Sequence, residues 1–340
     1  MSKILDTPGW WWQWFVATTP RDRYRITGHH CLHRGAGELY GALLVESVEW
    51  CEAGSQLLPG MPEIPYVDQE PLSVPAGAVA ATFTRKLDGT AIIFSPLELP
   101  WGGVEVFART RGMQVLCDMD VRAWRSMVDE ATAGGLRERI EEAARSQKAT
   151  LVFELYGTRN AHAVSYDEQL ELALHTVVQG RSLKPWRVVE RVADQFRIPC
   201  VPVLERITSP TVEGLQERAQ FLADQMEAAN APDLGRFDEE GLVLNVETPS
   251  KAAMWKFKPQ SMAEYHRLSQ QKIRPLTIRH EAWKLVETGQ WPPGLTALAD
   301  ALASTYSEDA VRESTELIRR EYALWMVDVY DKPGLLEGQR

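Results

Sequence analysis

The sequence predicts an α+β protein built from three successive parts. Its 340 residues are 44% hydrophobic and 25% charged, which is typical of a globular protein with room for two or three modules. Short runs typical of β-strands begin near Ala78 and alternate with helical segments, whereas the pattern after Pro259 is helical almost throughout. We therefore expect a small N-terminal module over residues 1–75, an α+β domain over 76–260 and an all-helical domain over 261–340.

The periodicity of the apolar residues predicts the individual elements. The β-type runs cover residues 78–84, 91–94, 104–108, 151–155, 170–178, 201–204 and 242–246. Helical spacing marks residues 121–148, with a break at Gly134-Gly135, and residues 212–229. In the helical tail, breaks are expected at Pro275 and Pro292-Pro293. The first 75 residues predict irregular structure, and their proline-rich span 58–66 predicts a loop or linker.

Charge and cysteine content narrow the class of partner and the compartment. The formal net charge is −10, which argues against a protein that coats nucleic acid along its length. Residues 251–284 nonetheless hold eight lysines or arginines against two acidic residues, which fits either a polyanion contact or a solvated helix face. There is no membrane-spanning apolar run and no secretion signal, and the four cysteines are widely separated, so we expect a cytoplasmic protein.

The first chemical signal is the segment Lys86-Leu87-Asp88-Gly89-Thr90, which stands between two predicted strands. A lysine acts as a nucleophile where its site disfavours the ammonium form, and a nearby carboxylate such as Asp88 can orient the amine. A glycine at this point lets the backbone approach a phosphate. The same segment fits an ordinary β-hairpin turn, because Asp-Gly is a favoured turn dipeptide. By itself the segment favours the turn.

Further segments along the chain change this interpretation. They are Arg109-Thr110-Arg111-Gly112, Phe153-Glu154-Leu155-Tyr156-Gly157, Glu239-Glu240-Gly241-Leu242-Val243-Leu244 and Trp255-Lys256-Phe257-Lys258. Each segment by itself has a purely structural explanation, such as a carboxylate at a strand end, a hairpin turn or a solvated strand edge. In this order after Lys86, they resemble motifs Ia, III, IV and V of the covalent nucleotidyltransferase superfamily, with Lys86 in motif I. That superfamily contains DNA ligases, RNA ligases and mRNA capping enzymes.

The resemblance covers residues 78–260 and implies an adenylation domain of antiparallel sheets flanked by helices. It implies that Lys86 becomes covalently bound to AMP from ATP. Glu154 would hold the ribose hydroxyls, and Arg111 would contact the ribose or a phosphate. The family's adenine-stacking aromatic should fall within residues 170–178, where the sequence offers no clear aromatic residue.

Charge chemistry agrees with the remaining roles that the resemblance implies. Lys256 and Lys258 stand two apart, so on a strand both side chains point to one face. Two cations there can neutralise the α-phosphate and help to lower the pKa of Lys86. Glu240 is the expected ligand of a divalent metal, magnesium or manganese, directly or through water. Asp88, beside the nucleophile, is counted among the catalytic residues.

The details of these motifs favour the RNA-joining branch of the superfamily. Ala91 follows Thr90 where DNA ligases and capping enzymes usually carry an arginine, and the tail is helical where those enzymes carry an OB barrel. The resemblance therefore implies an ATP-dependent RNA ligase that joins 5′-phosphate and 3′-hydroxyl RNA ends, with tRNA as one candidate substrate. A DNA ligase or a capping-type guanylyltransferase is the first alternative, and a non-catalytic nucleic-acid-binding relative is the second.

The segment Gly28-His29-His30-Cys31-Leu32-His33 concentrates residue types that bind metals. Structural zinc sites usually take ligand pairs from two separated segments, and no second cluster stands out in the sequence. The segment therefore favours a local loop over a zinc site.

Overall fold

A computed structural model of the chain describes residues 12–19, 24–32, 34–116, 118, 123–160, 163–230, 237–270, 273, 275–287, 292–303, 306 and 308–330. The chain divides into two compact units, Met1–Pro259 and Gln260–Arg340. The second unit begins next to the predicted start of the helical domain, and residues 1–75 belong to the same unit as residues 76–259. None of the helices in the described ranges is long and apolar enough to cross a membrane.

An antiparallel sheet forms the N-terminal part of the larger unit. Its strands are β1 (Trp12–Thr18), β2 (Arg25–Cys31), β3 (Leu43–Val48) and β4 (Cys51–Leu58), paired in that order, with a 3-10 helix at Arg34–Leu39. Our prediction of irregular structure, and of a loop at Gly28, was therefore wrong. A Cβ at Gly28 would lie 2.0 Å from the carbonyl oxygen of Leu44. The backbone of β3 lies so close to position 28 that only glycine fits there. A contact of this kind produces no regular hydrophobic pattern in the sequence by which the strand could be predicted.

Two further antiparallel sheets form the centre of the larger unit. One has the strand order β10-β9-β8-β6-β7 and the other has the order β11-β5-β12-β13. The strands are β5 (Ala80–Arg85), β6 (Thr90–Glu98), β7 (Val104–Thr110), β8 (Thr150–Tyr156), β9 (Glu171–Gln179), β10 (Ser182–Leu183), β11 (Val203–Thr208), β12 (Leu242–Glu247) and β13 (Ala252–Phe257). The seven predicted β-type runs correspond to β5–β9, β11 and β12, so short runs of strand-forming residues were a sound guide here.

Helices cover the central sheets. The helices α1 (Trp124–Ala131), α2 (Leu136–Gln147) and α3 (Trp186–Phe196) pack on the five-stranded sheet, while α4 (Val212–Ala229) packs on the second sheet. The predicted break between α1 and α2 is confirmed, since both Gly134 and Gly135 have positive φ. On another side of the five-stranded sheet, Leu97 and Phe107 share a core with the N-terminal sheet. That shared core fixes the N-terminal sheet to the central domain.

The proline-rich span 58–66 follows β4, and its end pairs with the central domain. The backbone N–H of Lys256 donates to the carbonyl oxygen of Pro65 at 2.9 Å. The N–H of Val67 donates to the carbonyl oxygen of Lys256 at 3.2 Å. Tyr66 thereby forms a parallel bridge with Lys256 of β13. Residues 59–65 form neither helix nor strand, which confirms the predicted loop, and the end of the span is anchored to β13. It places Tyr66 beside the residues of the predicted motif V.

The second unit is helical in its described residues. Its helices are α5 (Gln260–Gln270), α6 (Pro275–Glu287), α7 (Leu295–Ala303), α8 (Glu308–Glu313) and α9 (Thr315–Tyr330). Ile278, Leu298 and Trp325 are among its buried residues. Pro275 is the first residue of α6, a position where the missing N–H has no helical partner to lose. The described part of this unit contains no strand, which confirms the expectation of a helical tail.

Candidate active site

Lys86 lies where the two central sheets meet. Strands β5 and β6 belong to different sheets, and residues 86–89 cross from one sheet to the other. The Lys86 N–H donates to the carbonyl oxygen of Gly241 at 2.8 Å, which ties the crossing to the segment before β12. Because β5 and β6 are not paired with each other, the hairpin-turn interpretation of this segment is wrong. The crossing brings residues from both sheets around the lysine.

Two glycines of the predicted motifs allow this close approach. A Cβ at Gly89 would lie 2.1 Å from the carbonyl oxygen of Leu155 in β8. A Cβ at Gly241 would lie 2.2 Å from the carbonyl oxygen of Phe257, and Gly241 has a φ of 148°. Any larger residue would push these strands apart or strain the backbone. The glycines therefore serve the packing of the site, whatever their role toward a ligand.

Glu240 binds two of the predicted lysines at once. Its carboxylate is 3% exposed, accepts a hydrogen bond from the Lys86 amine and lies 3.4 Å from the amine of Lys258. A carboxylate this deeply buried is stable as an anion only when it is paired in this way. The structure therefore joins residues of motifs I, IV and V into one ionic cluster.

The Glu240 carboxylate raises the pKa of the Lys86 amine. Burial alone would lower this pKa, but Glu240, the Tyr66 hydroxyl and Glu154 outweigh burial, so the pKa lies well above its ordinary value. The expected help from the lysines of motif V in lowering this pKa is therefore outweighed. The direct ion pair with Glu240 is stronger than the repulsion from the neighbouring cations. This ion pair favours the charged form of the amine, whereas a lysine nucleophile must be neutral.

Lys86 faces a cavity of about 460 Å³, a size typical of small-molecule sites. The predicted residues Arg111, Glu154 and Lys256 also line this cavity, together with His175. Its apolar lining includes Met61, Ile64, Leu87, Val201, Val243 and Met254. The cavity therefore has both charged and apolar lining residues, which suits a nucleotide with a base and phosphates.

Buried polar atoms in the cavity fit a ligand. Arg111 Nε and His175 Nε2 are buried and have no hydrogen-bond partner among the described residues. Burial lowers the pKa of His175 to about 3, with help from the charges of Arg111 and Lys86. Burial raises the pKa of Glu154 to about 8, and it lies 3.8 Å from His175 Nε2. Unpaired buried polar groups are costly, so these groups suit a ligand that hydrogen-bonds to them.

The two lysines of the predicted motif V contact one aromatic ring. The amine of Lys256 lies 4.3 Å and that of Lys258 lies 5.1 Å from the centroid of the Tyr66 ring. This agrees with the prediction that their side chains share a face. Burial lowers the pKa of Lys256 to about 8, and the charge of Lys86 adds to the effect.

Asp88 contacts the backbone of a neighbouring loop. The side chain is buried, and Oδ2 accepts hydrogen bonds from the N–H groups of Ala163 at 2.6 Å and Val164 at 2.9 Å. The Asp88 N–H donates to the hydroxyl of Tyr166 at 2.7 Å. These contacts favour a role in shaping the loop after β8 over the predicted orientation of the Lys86 amine.

The N-terminal sheet positions Arg111. His30 Nε2 donates to the carbonyl oxygen of Arg111 at 3.0 Å, and Gln114 donates to His30 Nδ1 at 3.1 Å. The guanidinium of Arg111 lies 5.0 Å from the centroid of the Tyr40 ring. The fully buried Arg109 donates to carbonyl oxygens of the N-terminal part and thereby fixes the end of β7. Tyr40, Met61 and Ile64 of the described N-terminal part also line the cavity.

Sequence reasoning missed His30, Tyr40, Tyr66 and His175. A signal existed for His175, which is a polar ring within the apolar run Leu172-Ala-Leu-His-Thr-Val-Val178. The histidine-rich segment 28–33 also drew attention to His30, but its residue types suggested a zinc ligand rather than a hydrogen bond to the backbone. His33 lies outside the described residues. Tyr40 and Tyr66 carry no local signal, since their contacts come from distant parts of the chain.

The acidic residues of the site fit a divalent cation only in part. Within the described ranges, no group of three or more His, Cys, Asp or Glu residues could hold a metal ion. Magnesium commonly keeps several waters and binds one or two carboxylates together with phosphate oxygens of a substrate. Glu240 is the carboxylate at the Lys86 amine, but both of its oxygens face lysines, so a cation bound there would have to replace one of these contacts.

Comparison with known proteins agrees with this geometry. Residues 81–259 match the model of a family described as RNA ligase. An archaeal ATP-dependent RNA ligase, form 2, is 14% identical with a TM-score of 0.53, covering 98% of this chain and 79% of that chain. Its form 1 is 16% identical with a TM-score of 0.52, covering 96% and 76%. A variant of a Naegleria gruberi RNA ligase with AMP and Mn is 15% identical with a TM-score of 0.41, covering 61% and 58%. No curated protein matches the chain.

Proposed function

The chain belongs to the RNA ligase family, and we propose that it seals 5′-phosphate and 3′-hydroxyl RNA ends with ATP, through AMP bound covalently to Lys86. One observation carries the proposal. The amine of Lys86, held by Glu240, faces a cavity that Arg111, Glu154 and Lys256 also line. These residues come from separate motifs, and their convergence on one primary amine supports nucleotidyl transfer over a binding function alone.

In the first step, the neutral Lys86 amine attacks the α-phosphorus of ATP. A nitrogen–phosphorus bond forms, the bond from the α-phosphorus to the bridging oxygen breaks, pyrophosphate leaves, and the nitrogen gives up one proton to solvent. Lys256 supplies positive charge as negative charge spreads over the phosphate oxygens. Arg111 and Glu154 hold the nucleotide so that the amine stands in line with the leaving group. A divalent cation held by Glu240 would supply positive charge beside the amine and the phosphates, which favours the neutral amine.

The AMP then passes to RNA in two further transfers. An oxygen of the RNA 5′-phosphate attacks the phosphorus of the lysyl-AMP, so the nitrogen–phosphorus bond breaks and the adenylated RNA end forms. A 3′-hydroxyl next attacks the phosphorus of that RNA end and loses its proton, a new phosphodiester bond forms, and AMP leaves. Each transfer depends on alignment and on charge neutralisation at the same place.

Labelling with ATP tests the chemistry. Wild-type protein with magnesium and ATP labelled at the α-phosphate should carry acid-stable label, whereas Lys86→Ala should carry none while its circular dichroism stays native. The matched control is Lys251→Ala, because the side chain of Lys251 is exposed. Equal labelling of Lys86→Ala and wild type would end the proposal. Label from GTP in place of ATP would indicate a guanylyltransferase.

The substrate is tested with a panel of ends. Nicked RNA, nicked DNA and single-stranded RNA with a 5′-phosphate, including broken tRNA, should be compared at equal concentration. Faster sealing of RNA than of DNA is expected for a member of this family. RNA binding without any label from ATP would identify a non-catalytic relative. A cytoplasmic location stays a prediction, which imaging of a tagged protein in its host cell would test.

A further inference from the structure

Tyr66 lies at the candidate active site but outside residues 81–259, which carry the family match. Its backbone bridges Lys256 of β13, and its ring is partly buried against the two lysines of motif V. Through the proline-rich span 58–66, the N-terminal part of the chain thus contributes an aromatic ring to the site.

The two lysine amines need a partner that holds them together. The charge of Lys258 disfavours the charged form of the Lys256 amine, and such repulsion grows as burial removes water. Lys258 is paired with Glu240 at 3.4 Å, whereas Lys256 makes no ion pair with any described residue. The electron-rich face of an aromatic ring attracts cations within about 6 Å of its centroid. The Tyr66 ring lies within that distance of both amines.

We propose that Tyr66 is a positioning residue whose ring holds the amines of Lys256 and Lys258 where charge develops on the α-phosphate. The inference rests on the proposed function, because it assigns the lysines to nucleotidyl transfer. The backbone bridge fixes the ring relative to β13, so the amines are aligned before a nucleotide arrives. Alignment of this kind lowers the barrier without a rearrangement during the reaction.

Different substitutions at position 66 distinguish the effect of the aromatic ring from the effects of the hydroxyl and of side-chain packing. The rate of lysyl-AMP formation is measured in a single turnover at saturating ATP and magnesium. Tyr66→Phe keeps the ring and should lower the rate by less than about 3-fold, whereas Tyr66→Leu should lower it by about 10- to 30-fold. Equal losses in both variants, or no loss in Tyr66→Leu, would overturn the proposal.

A fluorinated series keeps the test valid if Tyr66→Leu does not fold. Phenylalanine with one, two or three ring fluorines at position 66 keeps the shape while weakening the negative face of the ring. The rate should fall stepwise with each fluorine, by about 10-fold over the series, while the melting temperature stays constant. The same series at Tyr24, whose ring contacts Trp101, should leave the rate unchanged.

The two proposals fail in different ways. If wild-type protein forms no lysyl-AMP, the proposed function fails and this inference fails with it. If wild-type protein labels normally while the fluorinated series at position 66 gives one constant rate, only the role of the Tyr66 ring is refuted.

Discussion

Replacing Gly89 with alanine is expected to slow lysyl-AMP formation by about 100-fold. A Cβ at this position would lie 2.1 Å from the carbonyl oxygen of Leu155 and 2.9 Å from its carbonyl carbon. Real Cβ atoms essentially never approach closer than 3.0 Å, so the crossing and β8 would have to separate by about 1 Å. That separation moves Lys86 relative to Glu154, since Lys86 lies three residues before Gly89 and Glu154 directly precedes Leu155. A misplacement of about 1 Å between reacting groups can lower a rate by about 100-fold.

The same substitution should also destabilise the protein. Overpacking of this kind costs about 1–3 kcal/mol, which corresponds to a decrease of about 3–10 °C in melting temperature for a unit of this size. The assay is single-turnover labelling with ATP, together with thermal unfolding. The matched control is Gly294→Ala, because no described heavy atom lies within 4 Å of a Cβ there. A labelling rate for Gly89→Ala equal to that of wild type would refute the reasoning.

Two other residues give predictions that separate structure from catalysis. Burial lowers the pKa of His30 from 6.5 to about 4, so the unfolded chain takes up this proton before the folded protein does. The stabilisation that depends on neutral His30 is therefore fully present above about pH 6.5. As the pH falls from there toward about 4, the free energy of unfolding decreases by about 3 kcal/mol. In urea unfolding, His30→Gln should reduce the slope of stability against pH in this window, and an unchanged slope would contradict the assignment. Asp88→Asn weakens the hydrogen bonds from Ala163 and Val164 and should lower the free energy of unfolding by about 1–3 kcal/mol, with label still forming on Lys86. Loss of label at unchanged stability would instead support direct orientation of the amine by Asp88.

The N-terminal sheet gives the motif residues a support that the family match does not cover. His30 and Tyr40 contact Arg111, while Tyr66 contacts the lysines of motif V. All three precede residue 81, where the match to the RNA ligase family begins. Ligand-contacting groups held by packed neighbours lose less entropy when the ligand binds. Residues that precede position 81 therefore help to hold the side chains of Arg111 and the motif V lysines in place.

The sequence by itself determined the central strands, the helical tail and the family. Short β-type runs predicted the positions of strands such as β8, and Gly134-Gly135 predicted the break between α1 and α2, because these signals depend only on neighbouring residues. The order of the motifs from Lys86 to Lys258 predicted the nucleotidyltransferase superfamily, and Ala91 with the helical tail predicted its RNA ligase branch, which the match over residues 81–259 confirms. Motif order is visible in a sequence because a nucleotide site requires the same residue types on the same strands.

Only the tertiary structure decided what surrounds those residues. Gly28 fits β2 because another strand passes within van der Waals contact, and no local pattern records that contact. The Lys86 amine pairs with Glu240 across two sheets, and this contact raises a pKa that the motif residues had been expected to lower. The Tyr66 ring reaches Lys256 from a distant part of the chain. Such interactions depend on distances in space, whereas a sequence records only the order of residues along the chain.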